Sequence, residues 1–466
     1  MSRSVELAVI GAGPAGLSAA TLAAELGLSV VLIDEQGSPG GQIYRALAEA
    51  PPQRAGLLGD DYRRGRTLLD AFHASKAEYW PDTTVWSLDR KRVLGIVRAG
   101  RASMLQFEHV IIAGGAMERP VPFPGWTLPG VMNVGAAQIL LKSAGVVPAD
   151  GTVIAGVGPL LLLVAGQYLR AGVAVKAVLE ISPKSNMLRA APHLLRATTA
   201  GNYLRRGMKY TVDLMRAGVP IHYGVSRLQA HGDQHIESVE FTCPGWWGER
   251  NRVLATDSLL VHFGVAPRTS LVRAAGGRLD WDASLQCWRP QVDRWGNTTV
   301  DGIAVAGDAA GIGGAISAEH SGRLAALAAA SSLGHISSAE RDRWGRADIA
   351  WRRKDLRIRP FLNALYRLPP EFLVPDDATT VCRCEEILAG EIRAAVRAGH
   401  TDPDQVKFFL RCGMGPCQGR QCAPAVAHIV AEMRQLPAAS FAPFRVRPPI
   451  SPLSVDQLAD LSMADE

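Results

Sequence analysis

The chain has 466 residues, 47% of them hydrophobic, which is too long for one core and too apolar for a disordered or fibrous protein, so two or three globular domains are expected. With 50 basic against 44 acidic residues the net charge is only +6, spread along the chain, and no nucleic-acid partner is inferred from it. Cys243 and Cys287 stand apart, with 43 residues between them, so there is no disulfide framework and a reducing cytoplasm suits the chain.

Met1 to Val5 lead straight into a strand pattern, with no charged and apolar leader, so no export by the general route is expected. "VELAVIGAGPAGLSAATLAAELGLSVVLIDEQ" reads as a strand (Val5 to Ile10), a turn with glycines at 11, 13 and 16, an Ala/Leu-rich helix ending at Gly27, and a strand closing on Asp34. In such a βαβ unit Gly11 makes the tight turn, Gly13 lets the backbone approach a pyrophosphate and Gly16 lets the helix pack closely. The helix N-terminus offers unpaired N–H groups and a positive dipole to the phosphates. Asp34, 23 residues after Gly11, is placed to accept from ribose hydroxyls.

"HVIIAGGA" (His109 to Ala116) and "DGIAVAGDAAGIGGA" (Asp301 to Ala315) are apolar runs that open onto small residues, and either permits close approach of a flat ring or a phosphate. A second βαβ unit begins at "GTVIAGVGPLLLLVAGQYLRAGVAVKAVLE", with Gly156 and Gly158 on the turn and Glu180 lying 24 residues after Gly156. Leu161 takes its third glycine position and is expected to push helix and strand apart, leaving an altered or vestigial nucleotide site. The apolar run inside it, broken by Gln167, Tyr168 and Arg170, falls short of a membrane helix.

These first 330 residues resemble the two-dinucleotide-domain flavoproteins, the thioredoxin-reductase-like FAD oxidoreductases. The resemblance implies that Gly11, Gly13 and Gly16, with Pro14 and Ala15 between them, hold the FAD pyrophosphate, and that Asp34 and Glu35 serve the adenosine ribose. It lays "GGQIY", with Gly41 and Gln42, along the cofactor, adds a contact at Gly114, and assigns Gly307 and Asp308 to the ribityl-phosphate portion. The helix opening at Ala315 would aim its N-terminus at the flavin N1 and C2 carbonyl. Disulfide reductases of this group carry a redox-active cysteine pair beside the flavin; Cys243 and Cys287 supply none, so electrons must leave another way.

The stretch from about Leu333 to Asp377 is basic and Trp/Arg-rich and reads as a solvated connector helix, in which Arg352, Arg353 and Lys354 are candidates to touch a partner subunit or an acidic cofactor. Beyond it lie five of the seven cysteines: Cys382-x-Cys384, 32 intervening residues, then Cys417-x4-Cys422, with Cys412 nearby. Four thiolates at short-spaced pairs suit a soft metal centre. Zinc is the rival, but there are no paired Cys-x-x-Cys knuckles, and the spacing suits an iron–sulfur cluster better. Thr380 to Met433 resembles the [2Fe-2S] domain of bacterioferritin-associated ferredoxin, in the longer-spaced version fused to FAD subunits. That match implies Cys382, Cys384, Cys417 and Cys422 as ligands and sets Cys412 aside.

The fold class expected is therefore α/β: an FAD-binding domain (1–150 and 290–335), an NAD(P)-type nucleotide-binding domain (151–289), a linker (336–378), a small helical [2Fe-2S] domain (379–435) and a tail (436–466). With "GGAMERPVPFPGWTLPGVM" and "RPPISPLSVDQLADL", almost the whole chain is similar to the α (A) subunits of heteromeric amino-acid and amine dehydrogenases, namely opine oxidases, D-hydroxyproline dehydrogenase and hydrogen cyanide synthase. The resemblance implies an electron-carrying role beside a catalytic β subunit of the D-amino-acid-oxidase type, in some cases with a small ferredoxin-like γ subunit. It also implies delivery to a quinone or respiratory acceptor that brings the complex to a membrane surface. A second nucleotide (NAD, ATP or FMN) near Gly156 or at the subunit junction stays open. No side chain stands out as a catalytic acid or base. Two other readings remain, an NAD(P)H-dependent flavin/iron–sulfur reductase using the Gly156 unit, and a non-catalytic scaffold for the β subunit.

Overall fold

The computed structural model describes residues 3–199, 201–245 and 248–462. Its first layer is built on the strand Arg3–Ile10, whose Leu7, Ala8 and Val9 are fully buried, as expected for a parallel strand covered on both faces. It pairs in parallel with Val30–Ile33 on one side and Arg101–Ile112 on the other. The long strand Arg101–Ile112 then divides its far edge: residues 101–106 pair antiparallel with Val93–Arg98, whereas residues 110–112 take Ile303–Val305 in parallel. Sequence around residue 303 thus returns to the sheet started at residue 3, and the two glycine-rich turns that follow these strands open on the same edge.

Helices Pro14–Glu25 and Ala315–Ser332 pack against each other over small residues. A Cβ on Gly322 would lie 2.0 Å from the Ala15 carbonyl oxygen, and one on Gly307 would lie 2.8 Å from the Ala15 Cβ. Only glycine lets these backbones meet.

The second domain has a parallel sheet of five strands, in the order Ile221–Tyr223, Val175–Glu180, Thr152–Gly156, Leu259–His262, Val131–Asn133. Helix Pro159–Arg170 covers it. Leu161 is fully buried in the main core, so the missing third glycine is absorbed by packing there instead of by separation from the sheet.

The connector differs from a solvated helix. Helix Ser338–Asp355 starts with a Ser337/Glu340 capping box and lies along helix Ala315–Ser332. Its buried Asp348 accepts from His320 Nδ1 (2.7 Å) and Arg323 Nε (3.1 Å), and Gly345 packs on the Trp295 ring. Farther on, Leu368, Phe372 and Leu373 are buried in the core of the second domain. Helical charge spacing gave no hint of these long-range partners.

The C-terminal unit has its own core around Val381, Ile392, Val406, Val426 and Ile429, formed by a short hairpin (Thr380–Cys382 with Ile387–Leu388) and helices Ala389–Arg397, Pro403–Leu410 and Ala423–Arg434. Trp126 of the second domain donates from its indole Nε1 to the Thr380 carbonyl (2.6 Å), and Arg383 lies over its ring. The tail does not trail away. Trp288 Nε1 donates to the Phe441 carbonyl (3.1 Å), Arg273 to that of Pro443 (2.9 Å), and the Ile450 amide to that of Trp86 (2.8 Å), tying residues 441–450 back across the first domain. No described helix is long and apolar enough to cross a membrane.

Candidate functional site

The first glycine turn folds as its residue types require. Gly11 sits at φ +104°, and a Cβ there would lie 2.5 Å from the Ala113 carbonyl oxygen; one on Gly16 would lie 1.8 Å from the Gly11 carbonyl oxygen. Gly41, at φ +59°, brings its own backbone against Gly13, and the Gly40 amide donates to the Ala12 carbonyl (2.8 Å). These contacts leave a bare-backbone cradle at the N-terminus of helix Pro14–Glu25, the form a pyrophosphate needs.

A cavity of about 870 Å³ opens from the cradle. Gly11, Gly13, Pro14, Ala15, Asp34, Glu35, Gly41, Gln42, Gly114, Gly307, Asp308 and Ala315 all line it; Gly16 sits behind the turn as a packing glycine. The Asp34 carboxylate accepts from the amides of Ala12 (2.6 Å) and Gln36 (2.9 Å), which fixes the turn and leaves each oxygen a free lone pair for a ribose hydroxyl. Asp308 Oδ1 accepts from the amides of Gly313 and Gly314 (2.8 and 2.9 Å) and so holds the entry of helix Ala315–Ser332. Tyr44 is buried and its hydroxyl donates to Glu319 (3.4 Å), which Arg64 also pairs (2.9 Å), pinning the "GGQIY" segment to that helix. The residues fit FAD in every part that the sequence singled out.

Several lining residues were not singled out. Lys142 is buried and donates from Nζ to the Gln42 carbonyl (3.0 Å); burial, with Arg45 nearby, lowers its pKa to about 7. Arg119 is buried, donates to the Leu285 carbonyl and touches the Cys287 sulfur. Burial pushes the Cys287 thiol up to about 11, so it is no thiolate at neutral pH, and Cys243 lies in the core of the second domain; the structure offers no dithiol pair among the described residues of the flavin domains. His428, pushed down to about 4 by burial and by Arg119, is neutral.

His428 belongs to the C-terminal unit, and here the two halves of the molecule meet. Gln418, Gly419, Arg420, Ala425 and His428 line the same cavity as Gly11 and Asp34, together with Phe444, Arg445 and Arg447 of the tail. Gln418 directly follows Cys417.

The five late cysteines form one group. The sulfurs of Cys382, Cys412 and Cys422 lie within 4.8 Å of one another, all three buried, and Cys384 and Cys417 are hydrogen-bonded to each other. Hydrogen bonds from Cys412 and Cys422 hold the Cys382 thiol far below its ordinary range, and those two are correspondingly raised. Glycines make the room: a Cβ on Gly415 would lie 2.3 Å from that of Cys384, and one on Gly413 or Gly419 would meet the Phe444 ring. A cluster of two irons needs two thiolates on each, which this set provides with one sulfur to spare. Cys412, set aside on spacing, stands inside the group.

The second glycine turn is closed. A Cβ on Gly156 would lie 1.9 Å from the His262 carbonyl oxygen, and His262 Nδ1 is hydrogen-bonded to Glu118 (2.6 Å). Glu180 is buried, its pKa raised by burial to about 7, and its carboxylate accepts the Ser182 amide (3.1 Å). Asn186 Nδ2 donates to the carbonyls of Leu365 (3.1 Å) and Arg367 (2.8 Å), clamping the connector over this end of the sheet, with Tyr366 packed on the core there. Gly156, Gly158 and Glu180 line neither large cavity.

Residues 5–333 match the model of the pyridine nucleotide-disulphide oxidoreductase family, and residues 380–432 that of the BFD-like [2Fe-2S] binding domain. The chain belongs to the pyridine nucleotide-disulphide oxidoreductase family. It is 43% identical to the A subunit of opine oxidase from Agrobacterium tumefaciens (strain Ach5) over 99% of this chain and 92% of the relative, and so belongs with the opine oxidase A subunits. It is 34% identical to the hydrogen cyanide synthase subunit HcnB of Pseudomonas aeruginosa, over 89% of this chain and 90% of the relative. Among solved structures, L-proline dehydrogenase from P. horikoshii superposes with a TM-score of 0.71 at 19% identity, covering 98% of this chain and 80% of that one, which shows the shared fold. The family match and the cavity together identify a flavin-dependent oxidoreductase chain with an iron–sulfur domain.

Proposed function

We propose that the chain is the FAD- and [2Fe-2S]-carrying electron-transfer subunit of a heteromeric dehydrogenase that oxidises the C–N bond of an opine, imino acid or amino acid and delivers the electrons to a quinone or respiratory acceptor. One observation carries this reading: a single cavity is walled by the dinucleotide-binding glycines at one end and by the residue after Cys417 at the other. FAD takes up electrons in pairs, and a [2Fe-2S] centre passes them on singly.

Each part of the chain has a task in that arrangement. Gly11, Gly13, Pro14, Ala15 and Gly16 hold the pyrophosphate, Asp34 and Glu35 the ribose, Gly41 and Gln42 run along the cofactor, Gly114, Gly307 and Asp308 hold its middle, and Ala315 presents the helix N-terminus to the ring. Cys382, Cys384, Cys417 and Cys422 are the ligands, two from each short-spaced pair. Arg119 and Lys142 supply positive charge and donors at the cavity wall, where charge accumulates on reduction. The Phe444 ring and the buried helix Ala423–Arg434 keep water from the thiols. No acid–base pair among the described residues aims at a substrate carbon, which supports assigning amine oxidation to a partner β subunit of the D-amino-acid-oxidase type. A small ferredoxin-like subunit is the optional third member.

The test is co-expression with the candidate β subunit. The complex is expected to bleach on anaerobic addition of an opine, imino acid or amino acid, and the isolated chain to stay yellow; a colourless complex indifferent to all three would contradict the proposal, and a colourless isolated chain would favour the scaffold reading. NADH is expected to leave the isolated chain unbleached, because Glu180, which would hold its ribose, is covered by the 365–367 clamp. Rapid bleaching by NADH would reinstate the reductase reading.

A third expectation concerns the surplus thiol. Cys412→Ser should keep two irons per chain by iron and acid-labile sulfide analysis, with a small shift of the visible bands. Loss of iron in that variant would place Cys412 among the ligands.

A further inference from the structure

On the far side of the loop at Gly311 and Ile312 lies a second cavity, of about 890 Å³, that the electron-transfer reading does not use. Three elements converge on it: helix Ser185–Ala190 with the turn after it (Arg189, His193), the segment 282–294 (Arg289, Arg294) and the end of helix Ser338–Asp355 with the turns after it (Arg352, Arg359, Arg367).

Six arginines line this space against two carboxylates, Asp282 and Asp293, an excess of four positive charges. Both carboxylates are engaged elsewhere. Asp293 accepts from the amides of Trp295 (2.8 Å) and Asn297 (2.9 Å), and Asp282 from Ser284 and Leu285, with Arg289 no nearer than 3.9 Å to its other oxygen. Arg352 and Arg359 are the half-buried members, and the Nε atom of each is inaccessible to solvent with no hydrogen-bond partner among the described residues. Burial lowers the pKa of both. A guanidinium donor desolvated without a partner is costly, and such sites are retained where an anion completes them. Arginine forks match phosphate oxygens two at a time.

We propose that this cavity binds a small molecule bearing two or more linked phosphate groups, with Arg352 and Arg359 as the inner donors and Arg289 at the rim. The size suits a nucleotide-sized ligand, and the charge excess suits a di- or triphosphate better than a dicarboxylate, which would leave half of it unmet.

The test uses the full chain carrying flavin and cluster, titrated calorimetrically with inorganic tripolyphosphate at fixed ionic strength. Saturable binding at one site per chain is expected, weakened about tenfold or more by Arg352→Gln or Arg359→Gln. Arg353→Gln, on the exposed side of the same helix, should bind as the parent does. Should either inner variant lose its flavin colour, and so its fold, Arg289→Gln provides the same comparison at the rim. Adenosine triphosphate binding more tightly than tripolyphosphate would identify a nucleotide as the source, and equal binding a free polyphosphate. Absence of saturable binding, variants that bind like the parent, or malonate binding as tightly as tripolyphosphate would each overturn the proposal.

Discussion

Replacing Cys422 by serine is expected to strip the iron from the chain while leaving its flavin in place, and to reduce turnover of the assembled complex with its natural acceptor by about 100-fold or more. Cys422 is fully buried, its sulfur lies with those of Cys382 and Cys412, and its backbone caps helix Ala423–Arg434. A serine oxygen there is a harder, poorer donor to iron and keeps the fold nearly isosteric. The flavin cradle is far along the cavity wall from this point and owes nothing to the thiol, so the visible flavin band and its reduction by substrate in the complex should persist. Iron, acid-labile sulfide and absorbance measured on the same anaerobic sample decide it. Iron retained in the variant, or zinc in place of iron in the parent protein, would remove the basis for the ligand set.

The two halves of the site differed in how far the sequence revealed them. Gly11, Gly13, Gly16 and Asp34 were legible because a βαβ unit fixes their spacing locally: the tight turn, the helix start and the carboxylate all fall within one short segment. The same holds for Cys382 and Cys384. The rest of the cavity wall was not legible. Arg119, Lys142, Trp288, His428 and Phe444 come from five separate parts of the chain, and only tertiary packing brings them to one space. Cys412 illustrates the limit of counting: spacing picks one partner for each thiol, whereas the Gly413 turn folds a third sulfur into the group. The connector failed for a related reason. Its charged composition suggests a solvated helix, but Asp348 spends its charge on His320 and Arg323, and Tyr366 to Val374 close the second nucleotide fold whose Gly156 and Glu180 had looked competent.

The same local legibility supports the other large expectation, that Gly16→Ala abolishes flavin binding and Gly114→Ala weakens it, by different routes. A methyl on Gly16 would sit 1.8 Å from the Gly11 carbonyl oxygen and 3.0 Å from its carbon, backbone against backbone, where no rotamer can relieve the clash. Gly11 cannot retreat, because it is already pressed towards the Ala113 carbonyl. Helix Pro14–Glu25 must therefore lift from the sheet, at a cost of roughly 3 kcal/mol, and its N-terminal amides leave the pyrophosphate position. The purified variant should be free of flavin and melt earlier, yet keep its iron, since the C-terminal unit rests on its own core. A methyl on Gly114 meets nothing within 4 Å, because it points into the cavity itself. That variant should melt with the parent's cluster and fold intact but bind FAD about tenfold more weakly. Flavin content, iron content and melting temperature of the two variants separate steric failure of the turn from occupation of the ligand's space; a yellow, fully stable Gly16→Ala protein would show that the turn tolerates what its geometry forbids.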